Sequence, residues 1–347
     1  MLKSKKAINF EDYRTCGHSS VVERLVANEK VEGSTPFARS NYKVIKSKFI
    51  TSKFQSLLDN KDIRIYKNKF IYYLTFRIIK NFLNKDLIIN IYNFKIFGST
   101  KKNKTSYYLL KKCEFGDYHE LKTIKKMSNK NKLLLLDCGC NYGFYSFYTA
   151  SLSNKNFVIS FEASKNTSGE FLKNLEINNF KNIEFYNNAI SDTKDEIISF
   201  NESENDWESS QTHNNFKTKK ISYVKSIKID YLPNIFNYEG YNAIIKLDIE
   251  GNEIKAIKGG IKFIQMKSPI IIIEFSKYIF NKKSNIEYLN YFLLNYDYSI
   301  YNTNAKKMNL NEIITKISQL NKKYKTIGNY YLIKNSSTNL NIFFSNE

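Results

Sequence analysis

The sequence predicts a doubly wound α/β domain, with a mostly parallel sheet and helices on both of its faces. Three observations carry this. Leu133-Leu134-Leu135-Leu136 is an unbroken apolar run, the mark of a strand buried on both sides. It runs into an acid and a glycine-bearing turn, Asp137-Cys138-Gly139-Cys140-Asn141-Tyr142-Gly143, and then a helical pattern at Phe144, Phe147, Tyr148 and Leu152. Downstream, short apolar runs alternate with helical periodicities, as parallel strands joined by crossover helices require.

The elements follow in order. Residues 87–97, rich in Ile, Tyr and Phe, read as strand. Residues 117–127 have helical spacing through Tyr118, Leu121 and Ile124, with His119 read as a solvated surface residue. A second core strand spans 157–161 and ends at Glu162. Residues 164–179 read as helix, with Leu172, Leu175 and Ile177 as core candidates. A third core strand covers 183–186, and Ala189-Ile190-Ser191-Asp192 reads as a turn. Strands over 196–200 and 221–229 flank a polar loop, 201–220, that contains Trp207 and His213. Residues 243–247 form the fourth core strand, 252–266 a helix, and Pro269 to Phe275 a fully buried strand. A helix over 285–294 has Ser284 and Glu287 placed as a capping box, and 329–334 reads as a closing strand. There is no internal repeat.

The 347-residue chain suits one large α/β domain with an N-terminal extension. The predicted units are a tail (1–40), a basic extension packing on the core (41–126), the α/β domain (127–335) and a C-terminal tail (336–347). The tail has its own composition: from Cys16 to Ser40 it has few Lys and no Ile. Gly33-Ser34-Thr35-Pro36 permits the codons GGT TCG ACT CCC, a transfer RNA T-arm. Leu25-Val26-Ala27-Asn28-Glu29 permits a self-complementary anticodon stem around GCC, and residues 19–24 permit a D-arm. Gly17 and Ala38-Arg39 permit the two sides of an acceptor stem. The expectation is a frame read through a glycine tRNA gene, with the true start downstream, near residues 42–53, and no chemistry at Cys16 or His18.

A net charge of +21 raises nucleic acid or an anionic surface as a partner. Lys, Asn, Ile, Tyr and Phe are abundant together, however, and all have AT-rich codons. The lysines are scattered, with no basic run flanked by stacking aromatics, so nucleic acid is not the expected partner. The four cysteines, Cys16, Cys113, Cys138 and Cys140, form no disulfide framework, which fits a reducing, cytoplasmic setting. Cys138 and Cys140 lack a second cysteine pair or a nearby His, so no metal site is expected. No run is long and apolar enough to span a membrane, and none near the start resembles a secretory signal. The apolar stretch 70–79, interrupted by Arg77, reads as a helix packed on the domain, with peripheral membrane contact as its other reading. Oligomeric state is not legible.

The first turn bears on the ligand class, and the residues downstream decide it. A dinucleotide fingerprint needs G-x-G-x-x-G on a pyrophosphate; here the spacing is G-x-x-x-G, with Asp137 just before the first glycine. A carboxylate there repels a pyrophosphate and suits a cationic ligand such as S-adenosylmethionine, which carries an ammonium and a sulfonium. Gly139 can take positive φ and let a ligand approach the backbone. Glu162, about twenty residues on, stands where this fold places an acid on ribose hydroxyls. A second cluster is Ile245-Lys246-Leu247-Asp248-Ile249-Glu250-Gly251-Asn252-Glu253. Strand alternation puts Lys246 and Asp248 on one face. The cluster's acids could accept a substrate proton, hold a cation or hold a polyol. Glu274 ends the next strand and could face the same crevice.

Taken together these motifs resemble the FkbM family of S-adenosylmethionine-dependent methyltransferases. Residues 137–143 resemble its D-x-G-A-N-x-G, Phe161-Glu162 its F-E-P with Ala163 in place of Pro, and Asn174 and Asn178 its recurrent asparagines. Residues 189–192 resemble its A-(L/V)-S-D, Ile229-Asp230 its L-D, residues 245–253 its I-K-I-D-V-E-G-x-E, Gly259 its K-G, and Pro269 to Glu274 its P-x-I-x-x-E. The resemblance covers roughly residues 87–334. It implies a class I methyltransferase (Rossmann-like) fold and methyl transfer from S-adenosyl-L-methionine to a hydroxyl oxygen, often on a sugar, glycan or secondary metabolite. By position, Asp137, Gly139, Asn141, Gly143 and Glu162 would hold the cofactor, with Ala189 and Asp192 near the adenine. Lys246, Asp248, Glu250 and Glu253 would face a small-molecule or glycan acceptor, with Asp248 the first choice of base and Glu250 the second. The competing readings are a nucleic-acid methyltransferase and a cofactor-binding paralogue without turnover. The proline-paired motif of amino-methylating enzymes is missing, since Pro36, Pro233 and Pro269 stand apart.

Overall fold

The computed structural model describes residues 87–98, 117–202, 220–234, 236–321 and 324–345, all within the unit Asn41–Glu347. The readings made for the tRNA-like segment, the stretch 70–79, Cys113 and residues 203–219 of the polar loop lie outside the described residues.

The chain opens with a hairpin, β1 (Leu87–Ile91) and β2 (Phe94–Gly98), turned through Tyr92 at φ +48°. Then come α1 (Tyr118–Lys130), β3 (Leu133–Cys138), α2 (Phe144–Leu152), β4 (Phe157–Phe161), α3 (Lys165–Asn178), β5 (Ile183–Tyr186) and β6 (Ala189–Ile190). A ribbon of β7 (Ile197–Glu202) and β8 (Lys220–Ile227) and a 3₁₀ turn (Ile229–Asn234) lead to β9 (Asn242–Leu247), α4 (Glu253–Gly259) and α5 (Ile261–Lys267). The last part is β10 (Ile270–Ser276), α6 (Lys277–Phe280), α7 (Lys283–Asn295), β11 (Tyr298–Tyr301), β12 (Lys307–Met308), α8 (Leu310–Ser318), β13 (Thr326–Lys334) and α9 (Thr338–Phe344).

Eight strands form the main sheet in the order β12-β11-β13-β10-β9-β3-β4-β5. The five from β10 to β5 are parallel, and β13 runs antiparallel between β10 and β11. This is the class I methyltransferase sheet, as the sequence predicts. Leu133 to Leu136 are fully buried at its centre, because helices cover both faces and leave no solvated side. From β3 the chain steps outward first to β4 and β5, then back past β3 to β9 and β10. The carboxyl ends of β3, β4 and β9 therefore flank a topological switch point, where open α/β sheets bind ligands.

Several elements depart from expectation for local reasons. The helix predicted over 252–266 divides at Gly260. A Cβ on Gly259 would stand 2.1 Å from the Ser191 carbonyl, and one on Gly260 3.1 Å from Ile229. Two successive glycines, poor helix formers, thus let α4 and α5 press against the β6 turn and the 3₁₀ turn. The expected turn 189–192 begins as strand β6, which pairs with Ser226 and Ile227 of β8. In α3 the inward stripe is Thr167, Ser168, Phe171, Asn174 and Leu175, while Leu172 and Ile177 are half-buried. The Ser284–Glu287 capping box does not form. Helix α7 starts from Lys282, and Glu287 sits 3.7 Å from Lys283 instead. The capping box found is Asn309 with Glu312, on α8, in a stretch the sequence reading passed over. The expected C-terminal tail contains α9, which buries Phe343 and donates from Asn339 Nδ2 to the Ser268 carbonyl at 2.9 Å. No described helix is long and apolar enough to cross a membrane.

Candidate active site

The turn after β3 is closed on itself. Gly139 N–H and Cys140 N–H both donate to the Phe161 carbonyl at 2.9 Å, and Gly143 N–H to the Cys140 carbonyl at 2.8 Å. Asn141 N–H donates to Glu162 Oε2 at 3.0 Å. These four backbone donors are engaged within the protein, so the turn is not a phosphate cradle. Gly139 takes φ +79°, and a Cβ there would lie 2.0 Å from the Asp248 carbonyl. Its missing side chain makes room for the neighbouring strand end, where the sequence reading gave that room to a ligand. Gly143 (φ +87°) likewise yields space to the rings of Phe147 and Phe171.

Asp137 lies beneath this turn, 1% exposed. Its Oδ2 accepts from the Ser146 hydroxyl of α2 at 2.5 Å, and Ser146 shares a 2.8 Å bond with Ser160 of β4. Burial pushes the Asp137 carboxyl up to about 6, against the opposing pull of Ser146 and the Lys246 ammonium. Burial also pushes the Cys138 and Cys140 thiols well up, which leaves both unreactive.

Glu162 joins the two strand ends. Besides Asn141 N–H it accepts from Ser164 N–H, at 2.9 Å on Oε1, while its own carbonyl receives Asn187 Nδ2 at 2.7 Å. Ala189 packs against Ile198 and Val224 of the β7–β8 ribbon. Asp192, half-buried, accepts from the Ser191 hydroxyl at 3.2 Å.

The second cluster separates its acids. Lys246 is 1% exposed and its Nζ lies 2.9 Å from Asp248 Oδ2, as strand alternation predicts. The ammonium also stands 5.3 Å from the centre of the Tyr145 ring. Burial alone would lower the Lys246 pKa; Asp248, Asp117 and Glu274 more than reverse this and hold it up. Asp248 is half-exposed, its side chain 41% accessible, and Glu250 is half-buried at φ +53°. Glu253 departs from the sequence expectation that it faces an acceptor. It is 1% exposed, and its carboxylate accepts from Ile249 N–H at 3.1 Å and Gly251 N–H at 3.0 and 3.2 Å. It therefore braces the turn from inside.

Sequence reasoning missed four contributors. Asp117, at the N-terminus of α1, accepts from the Tyr145 hydroxyl at 2.7 Å. Glu120 is buried in the first turn of α1, and burial, with Asp117 beside it, raises its carboxyl. Asn329 enters from β13, level with Glu274. Their distance along the chain hid them; an acid at a helix start directly before the core strand was the one available signal. Among the described residues, no three of His, Cys, Asp and Glu group so as to hold a metal ion.

Residues 137–300 match the family model described as Methyltransferase FkbM domain. Among solved structures the chain is similar to the methyltransferase FkbM from Methylobacillus flagellatus KT, with 18% identity and a TM-score of 0.35, covering 58% of this chain and 43% of that one. It is similar to precorrin-6y C5,15-methyltransferase from Geobacter metallireducens GS-15, with 11% identity, a TM-score of 0.32 and coverage of 61% and 84%. It is also similar to M. jannaschii TYW2 in complex with AdoMet, with 12% identity, a TM-score of 0.36 and coverage of 72% and 83%. No curated protein matches the chain significantly. The matched stretch begins at Asp137, the next-to-last residue of β3, and closes in β11, so it takes in both glycine turns together with β4, β9 and β10. Over residues 137–300, just under half of its length, the chain thus resembles the methyltransferase FkbM domain.

Proposed function

We propose that the chain binds S-adenosyl-L-methionine at the carboxyl ends of β3 and β4 and transfers its methyl group to a hydroxyl oxygen of a sugar, glycan or secondary metabolite. One observation carries the reading. Within a stretch that matches a methyltransferase domain, a braced acid just past β4 (Glu162) and a half-exposed acid just past β9 (Asp248) flank the turn that follows β3.

The residues fit the cofactor. A turn whose amides are engaged, with a carboxyl below it, disfavours phosphate and is compatible with a cationic ligand. A carboxylate accepts about four hydrogen bonds, so Glu162 can hold the turn and still accept from a ribose diol. The sulfonium supplies an activated methyl group when the cofactor is bound. What remains for the chain is to align an acceptor oxygen and take its proton. Asp248, fixed by Lys246, takes that proton, and Glu250 is the second candidate.

Calorimetry on the full chain tests this. Wild type should bind S-adenosylmethionine, and Glu162→Ala should weaken binding roughly 30-fold or more, about 2 kcal/mol. Asp248→Asn should bind as wild type and lose turnover by about 10²-fold or more. A folded protein that binds no cofactor sinks the reading. Steeply salt-dependent binding of RNA, with methyl transfer to it, would replace the acceptor class.

A further inference from the structure

The register of the sheet places a polar row under α1 and α2. In a parallel pair, residues at the same level point to the same face. Asp137 is level with Ser160 and with Lys246. Lys246 is level with Ile272, and Leu247 with Ile273, so Asp248, the first residue past β9, leaves the strand beside Glu274 of β10. Glu274 is in turn level with Asn329 of β13. Two carboxyls thus stand near each other at the ends of adjacent strands, close enough for Asp248 to act on Glu274.

Among the described residues, Lys246 is the cation that acts on Glu274. From β9, Glu274 faces Lys246 and Asp248; from the turn, Glu250; from α4, Glu253. Asp117 of α1 draws on the same ammonium, and so does Glu120. Carboxyls crowded in this way do not all ionise. A second observation points to where the proton sits. Among the described residues, Asn329 Oδ1, on the same face as Glu274, is a buried acceptor with no hydrogen-bond partner, while the Asn329 side chain also bonds to Glu120. A carboxylate has nothing to donate to it, whereas a protonated Glu274, or a protonated Glu120, has an O–H.

Resting on the methyltransferase reading above, we propose that Asp248 and Glu274 share one proton and act as a pair, with Glu274 as the positioning residue behind the base. In turnover the acceptor's O–H bond breaks and its proton goes to Asp248. The oxygen pair forms the bond to the methyl carbon, and the carbon–sulfur pair stays on sulfur, leaving a neutral thioether. The carboxyl pair passes from one negative charge to none. Burial, with Asp248 adding to it, holds the Glu274 carboxyl up at about 9, in keeping with this arrangement.

The test uses full-length protein labelled with ¹³C at the Asp and Glu side-chain carboxyls, followed by NMR against pH without ligand. One Glu resonance should titrate above pH 7, vanish in Glu274→Gln, and move down by at least one pH unit in Asp248→Asn. A Glu274 resonance that titrates below pH 5, or that ignores Asp248→Asn, overturns the proposal whether or not an acceptor is known. In turnover, Glu274→Gln should keep cofactor affinity, lower kcat about tenfold or more and shift the pH profile, and Glu274→Asp should restore the profile's shape. An unshifted profile with Glu274→Gln also overturns it. Loss of S-adenosylmethionine binding by wild type, with the NMR coupling intact, would instead sink the cofactor reading and leave the pair standing.

Discussion

At the end of β3 the backbone turns through Gly139, Asn141 and Gly143, all at positive φ; at the end of β9 it turns through Glu250 and Gly251, also at positive φ. Each turn follows a buried strand, carries an acid at or just past the strand's last residues and leads into a helix. They differ in where the bracing carboxylate comes from. The first is braced from outside, by Glu162 of the neighbouring strand, and its own acid, Asp137, is sealed beneath it against Ser146. The second is braced from within, by Glu253 of the helix it leads into, and its strand-end acid, Asp248, stays half-exposed. Depth along the sheet goes with this difference: Asp137 is level with the buried Lys246, whereas Asp248 lies two residues further toward the crevice.

The two turns also bear on each other, and breaking that contact should have the largest effect. Gly139→Ala forces a Cβ to within 2.0 Å of the Asp248 carbonyl, at a φ that L side chains rarely adopt. Backbone cannot rotate aside as a side chain can. The expected loss is about 4 kcal/mol or more, read as a failure to fold or a drop in urea midpoint. A Gly139→Ala protein of unchanged stability would mean that the two turns do not dock as described.

The brace of the second turn can be isolated by pH. Burial raises the Glu253 carboxyl from 4.5 to about 7, against the pull of the backbone N–H groups it accepts from. Its native pKa therefore lies above its unfolded one, and between the two values the native state holds more protons. Stability from this group is greatest below about pH 4.5 and declines as pH rises to about 7. Glu253→Gln keeps an acceptor for the turn and removes the titration. The variant's Tm relative to wild type should rise across that window and level off above it. A difference that stays flat from pH 4.5 to 7 would mean that Glu253 titrates as an ordinary surface acid.

This contrast marks the limit of what the sequence made legible. The strands were readable because a two-face-buried strand must be continuously apolar, and both motifs were readable because each interrupts such a run with an acid and a glycine. The partnership of each carboxyl was not. Asp248, Glu250 and Glu253 look equivalent as three acids in six residues, and only the direction of the turn's N–H groups separates a brace from presented acids. Asp117, Tyr145 and Asn329 reach the site from elements set by packing, which no local pattern encodes. The sequence shows that Gly139 suits a positive φ but not what fills the space beside it, which the backbone of Asp248 takes.

The two asparagines of α3 give the smallest and cleanest comparison, between a buried and an exposed copy of one device. Asn178 accepts from Lys95 N–H at 2.6 Å and donates to the Lys95 carbonyl at 2.7 Å, as a neighbouring strand would. Asn174 accepts from Phe97 N–H at 2.6 Å and donates to the Tyr142 carbonyl at 3.1 Å. The pair thus fastens the β2 edge to α3 and, through Tyr142, to the first turn. Asn174 is fully buried, so its removal leaves polar groups without water; the Asn178 bonds to Lys95 lie at the surface, where water replaces them. Asn174→Ala should cost about 2 kcal/mol and Asn178→Ala about 0.5–1 kcal/mol, by denaturant titration. Asn174→Ala should also weaken cofactor binding, because Tyr142 belongs to the turn; Asn178→Ala should not. Equal costs for the two would mean that the hairpin is held by its apolar contacts, with Phe94 and Ile96 buried beneath it, and that the amides only decorate its edge.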